Sequence, residues 1–234
     1  MERRLLALAF AGVAFFPRPW PGQERPIVDR VIARVEPPPD SYRALRRLEA
    51  GNEHFHQRAR MVVWTEADRT SGFRYQIVNE DGSAYIRSHV FRAALATEQR
   101  MWAASEPQRA SISLDNYSFQ NRGLTPDGLF SLSVTPRRRD VLLVDGTIYV
   151  IQDDGDLRRI EGRLSKAPSF WTRHVDVVRQ YERIGGVHVP VSLESVAQVL
   201  IAGRSTFRMT YEYEMINGKA VGRPQAVMPP ASPQ

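Results

Sequence analysis

The strongest constraint on the fold is a strict alternation of apolar and polar residues near the end of the chain. Between residues 207 and 215, every odd position is aromatic or Met, and the even positions are Arg208, Thr210, Glu212 and Glu214. A period of two places one set of side chains on each face of a β-strand. Similar alternation at 61–66, 73–78 and 130–134 predicts that the chain is mainly β.

Turn signals separate these alternating segments. Asp-Gly pairs occur at 81–82, 127–128, 145–146 and 154–155, and Asn217-Gly218 follows the last alternating segment. Asp-Gly and Asn-Gly favour tight hairpin turns, because their residues tolerate positive φ. The pattern therefore predicts an antiparallel meander of hairpins.

Two segments fit amphipathic helices instead. Asp40-Ser41 offers an N-cap and Gly51 a stop for a helix over 41–50, where apolar residues recur every three positions. Residues 85–104 contain no Pro or Gly, and their apolar residues recur at steps of three and four. The sequence thus predicts an α+β domain with its helices packed on one face of the sheet.

The two ends of the chain lie outside this domain. Residues 1–4 are basic, residues 5–16 are apolar or small, and three prolines follow by position 21. This layout is typical of a secretory signal, predicted over 1–23, so the protein is expected to be periplasmic or otherwise exported; an uncleaved anchor is the alternative. Residues 24–39 are predicted to be an extended lead-in, and the Pro-rich residues 218–234 a disordered tail.

Charge and cysteine usage exclude several function classes. The 234 residues carry a formal net charge of +6 and contain no Cys, which rules out disulfides, thiolate metal sites and a Cys nucleophile. The densest basic run is Arg137-Arg138-Arg139, and Asp140 follows it directly. Because the other basic residues are scattered among acidic neighbours, no nucleic-acid partner is expected.

Polar clusters that resemble catalytic or metal sites have simpler explanations. His54 and His56 have no third ligand at suitable spacing. Asp153, Asp154 and Asp156 surround a Gly, but they lack the alternating ligands of a calcium loop, and a hairpin turn explains them. No phosphate-binding, dinucleotide-binding or nucleophile-elbow motif is present. The sequence therefore predicts a protein that is not an enzyme and has no metal or cofactor.

The apolar faces of the strands are the most informative candidates for a site. Two short helices would not easily cover a sheet of this width, so the remaining face either forms ordinary core or lines a ligand cavity. The candidate cavity-lining residues are Trp64, Tyr75, Phe130, Leu132, Trp171, Phe207, Met209 and Tyr211.

Several motifs in the middle and C-terminal half resemble those of the outer-membrane lipoprotein-sorting (LolA-like) proteins. They include the run from Gly128 to Asp140, Arg159-Ile-Glu-Gly162 and Ala167-Pro-Ser-Phe-Trp171. The resemblance covers residues 40–217, which are expected to form one domain.

This resemblance implies a strongly curved antiparallel sheet, or incomplete β-barrel, whose open side is covered by helices around a hydrophobic cavity. In the family's carrier, such a cavity shields the acyl chains of lipoproteins that cross the periplasm. The expected function is therefore a monomeric periplasmic carrier of lipid or acylated lipoprotein that exchanges its cargo with membrane-associated proteins. The alternatives are an envelope protein–protein interaction or sensing module with the same fold, and a hydrolase of envelope material.

Overall fold

The computed structural model describes residues 25–34, 39–104 and 107–221. Within these ranges, the main element is a sheet of 11 strands, all paired antiparallel. The strands are β1 (Ser41–Asn52), β2 (Gln57–Asp68), β3 (Gly72–Gly82), β4 (Tyr117–Leu124), β5 (Leu129–Pro136), β6 (Val144–Ile151), β7 (Leu157–Leu164), β8 (Thr172–Ile184), β9 (Val187–Val199), β10 (Gly203–Ile216) and β11 (Lys219–Ala220).

The strand order is that of a meander with one long-range pairing. Across the sheet the order is β3-β2-β1-β10-β9-β8-β7-β6-β5-β4, and β11 pairs with β10. The pairing of β1 with β10 joins the N-terminal hairpins to the C-terminal strands. Strands β3 and β4 lie at opposite edges, so the described sheet is open. The predicted class, an antiparallel α+β sheet not closed into a barrel, is confirmed.

Two helices pack against this sheet. Helix α1 is Arg25–Arg34. Helix α2 covers 84–104 and consists of an α-helical turn (Ala84–Ile86), a π-helical stretch (Arg87–Arg92) and an α-helical segment (Ala93–Ala104). A short 3₁₀ turn, Pro107–Ala110, follows.

Both helices lie on the same face of the sheet, which we call the covered face. Residues directly opposite each other on antiparallel strands point to the same side. One such row crosses the sheet through Ile148, Ile160, Arg179, Leu193, Met209 and Leu48. At one end of this row, Leu48 belongs to a hydrophobic cluster that lies under α2. At the other end, Ile148 belongs to a separate hydrophobic cluster that lies under α1. Of the two helices predicted to pack on one face, only the one over 85–104 forms, and it lies on the covered face. We call the opposite side the open face.

A first hydrophobic cluster lies between α2 and strands β1, β2, β3 and β10. Phe91 and Leu95 of the helix are fully buried, and Leu48, Met61 and Val63 form the sheet side of the contact. Phe91, in the π-helical stretch, and Leu95, in the α-helical segment, are four positions apart and lie on the same side of the helix. Burying a side chain of this size stabilises the fold by about 2 kcal/mol.

A second cluster lies between α1 and strands β5 and β6. Ile27 and Val31 are four residues apart, so they share one side of the helix, and both are buried against Leu132, Ile148 and Val150. This packing explains why α1 forms although the segment is short and highly basic.

An ion-pair cluster fixes α1 to the sheet. Asp156, in the turn after β6, accepts two hydrogen bonds of 2.7 Å from Arg183 of β8, and Nε of Arg34 lies 3.2 Å from Oδ1 of its carboxylate. The Asp-rich turn predicted at 153–156 is confirmed. The carboxylate of its last residue, Asp156, links α1 to β8 through Arg34 and Arg183. Hydrogen bonding by Arg183 outweighs the opposing effect of burial and holds the pKa of Asp156 below its usual value.

Two glycines face each other between the second cluster and the central strands. Gly146 of β6 pairs with Gly162 of β7. A Cβ added to Gly146 would lie 2.1 Å from the carbonyl oxygen of Glu161, and one added to Gly162 would lie 2.3 Å from that of Asp145. The two strands approach this closely because neither position carries a side chain.

The predicted helix over 41–50 is wrong, because this segment is strand β1. Tyr42, Ala44, Arg46 and Leu48 are buried in strict alternation, which is the pattern of a strand with one covered face. The three-residue spacing of apolar residues was misleading because one member, Leu45, is only half-buried. The helix predicted over 85–104 is confirmed as α2.

Other boundaries also differ from the sequence-based ones. The extended lead-in predicted for 24–39 is wrong at Arg25–Arg34, which is helical, and the tail predicted from 218 begins with strand β11. The Asp-Gly pairs 81–82 and 145–146 lie inside β3 and β6 rather than in turns. The predicted signal segment 1–23 and the rest of the tail, 222–234, lie outside the described residues.

Candidate ligand-binding site

The structure divides the eight predicted cavity residues among four places. Tyr75, Phe207, Met209 and Tyr211 come together in the first cluster, while Phe130 and Leu132 lie in the second. These six are on the covered face, but in two separate apolar regions. Contact of any of them with a ligand stays a prediction.

The two predicted Trp residues lie elsewhere. Trp64 alternates with the buried Met61, Val63 and Thr65 of β2, so it lies on the open face, where the guanidinium of Arg43 stacks 4.7 Å from its ring centre. Trp171 lies just before β8 at the end of the sheet and is 56% exposed. Neither Trp can line the same space as the first cluster.

The centre of the first cluster holds a buried charge that the sequence-based reasoning missed. Arg46 of β1 is 1% exposed and forms a two-bond ion pair with Glu98 of α2, at 2.6 and 2.8 Å. The hydroxyl of Tyr42 donates to Glu98 at 2.8 Å and accepts from Arg46 at 2.6 Å. Aromatic rings surround the guanidinium, with the ring centre of Tyr211 4.6 Å away and that of Phe73 5.4 Å away.

This cluster, Arg46 with Glu98, Tyr42 and Tyr211, is called the polar latch because it joins α2 to the sheet. Burial disfavours the charged form of Glu98, but the charge and hydrogen bonds of Arg46 outweigh burial and hold the pKa of the carboxyl below its usual value. Burial raises the pKa of Tyr211 to about 12, so its hydroxyl stays protonated at neutral pH. The latch is therefore fully formed at neutral pH.

Among the elements of the described residues, no helix lies on a strip of the covered face beside the latch. It consists of the central strands β8 and β9, where the covered-face residues Val177, Leu193 and Ser195 are only half-buried. Arg179 lies on the same strip and is exposed. Within the described part of the chain, no carboxylate lies within ion-pairing distance of Arg179; its Nη1 lies 3.4 Å from the hydroxyl of Tyr181.

Arg179 nevertheless lies within electrostatic range of the latch. The neighbouring Tyr181 favours its charged form most strongly, and Tyr211 and Glu98 contribute in the same direction, so the pKa of the guanidinium is raised. The covered face thus presents the guanidinium of Arg179 next to the apolar and aromatic side chains of the first cluster.

A groove of about 730 Å³ lies over the centre of the sheet on strands β6 to β9. Charged side chains that alternate away from the covered face line much of it: Asp145, Glu161, Arg163, Asp176 and Glu194. Arg163 and Asp176 form an ion pair at 3.0 Å, and Glu194 pairs with Arg208. This groove is therefore not the apolar cavity that the sequence predicted.

Two further features bear on the possible chemistry. Across 25–34, 39–104 and 107–221, no three His, Asp or Glu side chains gather closely enough to hold a metal ion. The helices of these same ranges are too short or too polar to cross a membrane.

A signal for the latch was present in the sequence. Arg46 falls in the middle of a segment whose even positions are otherwise apolar or aromatic, but the segment was interpreted as a helix, which hid the charge on the covered face. No local signal identifies Glu98 as its partner, because the two residues are far apart in the sequence.

Comparison with known proteins finds solved structures of low similarity to this chain. No protein-family model and no curated protein sequence matches the chain. A LolA superfamily protein from Nitrosomonas europaea is 13% identical, with a TM-score of 0.37 over 80% of this chain and 90% of that one. A DUF1329 family protein from Desulfovibrio piger is 11% identical, with a TM-score of 0.38 over the same shares.

Proposed function

We propose that the protein is an exported binding protein that shields the acyl chains of a lipid or lipidated protein against its covered face while α2 moves aside. Binding involves no covalent step. The observation that carries the proposal is the polar latch, through which an otherwise apolar wall of the sheet is joined to its helical cover.

The wall itself suits a hydrocarbon chain. Side chains on the covered face of β1, β2 and β10, including Leu48, Met61, Val63 and Met209, form an apolar surface around the buried Arg46 of the latch. Phe91 and Leu95 of α2 fill the space above it. An acyl chain would therefore occupy the volume that these two side chains vacate, rather than a cavity that stands open in the unliganded protein.

The energies of opening and binding are of similar size. Withdrawing Ile86, Phe91 and Leu95 from the wall costs about 6 kcal/mol. Separating the buried ion pair adds about 4 kcal/mol. A sixteen-carbon chain recovers about 11 kcal/mol at about 0.8 kcal/mol per CH₂. One chain thus roughly offsets the opening of α2, and a second chain on the same lipid supplies surplus affinity.

Arg179 adds a place for the head of the ligand. It lies on the uncovered strip next to the wall, and its guanidinium is free to form hydrogen bonds with a carboxylate or phosphate. An amphiphile with an anionic head can therefore place its tail under α2 and its head on Arg179.

The test is direct binding of an acyl probe to the delipidated full chain. The fluorescence anisotropy of hexadecanoic acid labelled with a BODIPY group should rise on binding, and a diacyl phospholipid should compete more strongly than unlabelled hexadecanoic acid. Absence of both effects, together with no lipid in native mass spectra of the freshly purified protein, would contradict the proposal.

Two matched substitutions locate the site. Phe207 and Phe130 are both half-buried, but Phe207 lies in the first cluster and Phe130 in the second. We expect Phe207→Ala to weaken probe binding about tenfold, since a buried aromatic side chain contributes roughly 1.5–3 kcal/mol. Phe130→Ala should leave the affinity unchanged, and the opposite pattern would place the site under α1.

A further inference from the structure

We infer that one end of the sheet is a membrane-docking surface that inserts apolar side chains into an anionic lipid bilayer. The surface, called the apolar tip, consists of the exposed residues Phe55, Phe170, Trp171, Leu200 and Ile201. This inference concerns a different part of the molecule from the acyl-binding wall and does not depend on it.

The five residues belong to three connections that lie side by side at the same end of the sheet. The β9–β10 turn carries Leu200 and Ile201, and the amide of Leu200 donates to the carbonyl of Trp171 at 2.9 Å. On its other side this turn contacts the β1–β2 turn that carries Phe55, since Asn52 donates to the carbonyl of Ala202 at 2.7 Å. The tip is thus a continuous row and not a set of scattered residues.

The exposure of these side chains is unusual for a folded protein. Phe170 is 86% exposed, Ile201 is 70% exposed, and the rings of Phe170 and Trp171 contact each other edge to face. Contiguous exposed apolar residues of this size mark an interaction surface. Trp and Phe in particular favour the boundary between lipid headgroups and acyl chains.

Charge around the tip fits an anionic surface. The segments 165–174 and 198–204 contain Lys166, Arg173 and Arg204 but no Asp or Glu. Arg204 is neutralised by Glu53 of the β1–β2 turn at 3.1 Å, which leaves Lys166 and Arg173. Arg139 of the neighbouring β5–β6 connection approaches the same loop, with its Nε 3.4 Å from the carbonyl oxygen of Ser165. Basic side chains beside inserted aromatic residues strengthen binding to membranes that contain anionic lipids.

The shape of the tip favours a bilayer over a protein partner. From β1 to β8 the row crosses three strand spacings, about 14 Å, and it is one turn deep. A stable protein–protein interface buries about 800 Å² on each partner, which a row this narrow does not provide. A bilayer needs no complementary surface, because the side chains enter the lipid directly.

The test is sedimentation of the full chain with vesicles that mix phosphatidylglycerol and phosphatidylcholine. The protein should bind these vesicles, bind pure phosphatidylcholine vesicles more weakly, and dissociate at high salt, because salt screens the charges. The double substitution Phe170→Ser with Trp171→Ser should weaken binding at least tenfold. Brominated lipids should quench the emission of Trp171, and Trp171→Phe should keep the binding but lose most of this quenching.

A matched pair of substitutions controls for general hydrophobicity. Ile201 and Leu124 are both largely exposed, but Leu124 is the last residue of β4, at the opposite end of the sheet. We expect Ile201→Ala to weaken vesicle binding and Leu124→Ala to leave it unchanged. Because these positions are exposed, all variants should keep the parent's circular dichroism spectrum.

Two results would overturn the inference. One is equal sedimentation of the parent and of the Phe170→Ser, Trp171→Ser variant with every vesicle composition. The other is that the parent protein does not bind vesicles but self-associates in analytical ultracentrifugation, whereas the double variant is monomeric. The tip would then be an interface between two copies of the chain.

Discussion

At the level of single residues, the covered face holds two arginines in opposite situations. Arg46 is buried, and its charge is neutralised by Glu98. Arg179 is exposed, and within the described ranges its one polar side-chain neighbour at hydrogen-bonding distance is the hydroxyl of Tyr181. The first arginine fixes the cover of the wall, whereas the second is available to a ligand.

The role of Arg179 leads to a prediction about ligand heads. Arg179→Gln should weaken the binding of hexadecanoic acid about tenfold, since a hydrogen bond to a charged group contributes about 1.5–3 kcal/mol. The same substitution should leave the binding of hexadecanol unchanged, because the alcohol carries no charge. Competition against the acyl probe measures both affinities, and an equal loss for both ligands would assign Arg179 to the fold rather than to the head of the ligand.

Residue-scale features were also the hardest to predict from the sequence. Period-two alternation placed Phe207, Met209 and Tyr211 of β10 on one face, and the structure brings them together in the first cluster. On β2 the same alternation led to Trp64 as the candidate, but Trp64 lies on the open face. The ion pair of Arg46 with Glu98 does not follow, because it depends on where α2 crosses the sheet. Long-range pairing of this kind leaves no trace in local patterns.

At the level of elements, helix α2 is the part of the fold best suited to move. The first half of α2 contains a π-helical stretch, Arg87–Arg92, and this conformation is found frequently at functional sites. Both ends of this stretch are tied to β3, since Arg87 and Arg92 share the carboxylate of Glu80 at 3.0 and 2.8 Å. The segment Ala93–Ala104 depends more on the latch, so opening is expected to begin there.

The latch can be weakened by removing a single charge. Glu98→Gln leaves Arg46 buried without a counter-charge, which costs about 3–5 kcal/mol. We expect amide hydrogen exchange in 93–104 to accelerate at least tenfold while exchange in α1 stays unchanged, and the acyl probe to associate faster. Arg100→Gln, on the exposed side of the same helix, is the control, and unchanged exchange in the Glu98 variant would contradict the latch.

Acid should act on the latch in the same direction as this substitution. Because the pKa of Glu98 is lowered in the folded protein, its contribution to stability is complete above the pKa that the carboxyl has in the unfolded chain. The contribution is lost as the pH falls through the lowered folded value. Exchange in 93–104 should therefore stay slow at neutral pH and rise, relative to the rest of the sheet, only in acid.

Strand β1 illustrates how an element can be mistaken from sequence. A good N-cap, a terminal Gly and apolar residues every three positions all favoured a helix over 41–50. Pairing with β2 on one side and β10 on the other overrides that local preference, because it satisfies the backbone of all twelve residues and covers one face.

At the level of the whole molecule, one sheet carries two separate hydrophobic clusters. The first lies under α2 and the second under α1, and the central strands β8 and β9 connect them with little cover of their own. The fold class followed from the alternation and the turn signals. The division into two clusters did not, because it depends on helix α1, in a segment that was predicted to be extended.

The ion-pair cluster of Asp156 is expected to stabilise one of these regions selectively. Asp156→Asn removes the charge that faces Arg34 and Arg183 and should lower the free energy of unfolding by about 2 kcal/mol. Hydrogen exchange should accelerate in α1, β5 and β6, with little change in β1 and β2. Arg158→Gln, at an exposed position near the start of β7, is the control. A uniform acceleration across the sheet would show that the two clusters unfold as one.

The close approach of β6 and β7 has a consequence for how this protein tolerates variation. Because Gly146 and Gly162 face each other, a methyl group on either one would collide with the backbone of the opposite strand, and no change in the partner creates room for it. A substitution at one of the two positions therefore cannot be compensated by a substitution at the other. In a saturation library, both should reject every one of the other nineteen amino acids, although neither contacts the wall, the latch or the tip.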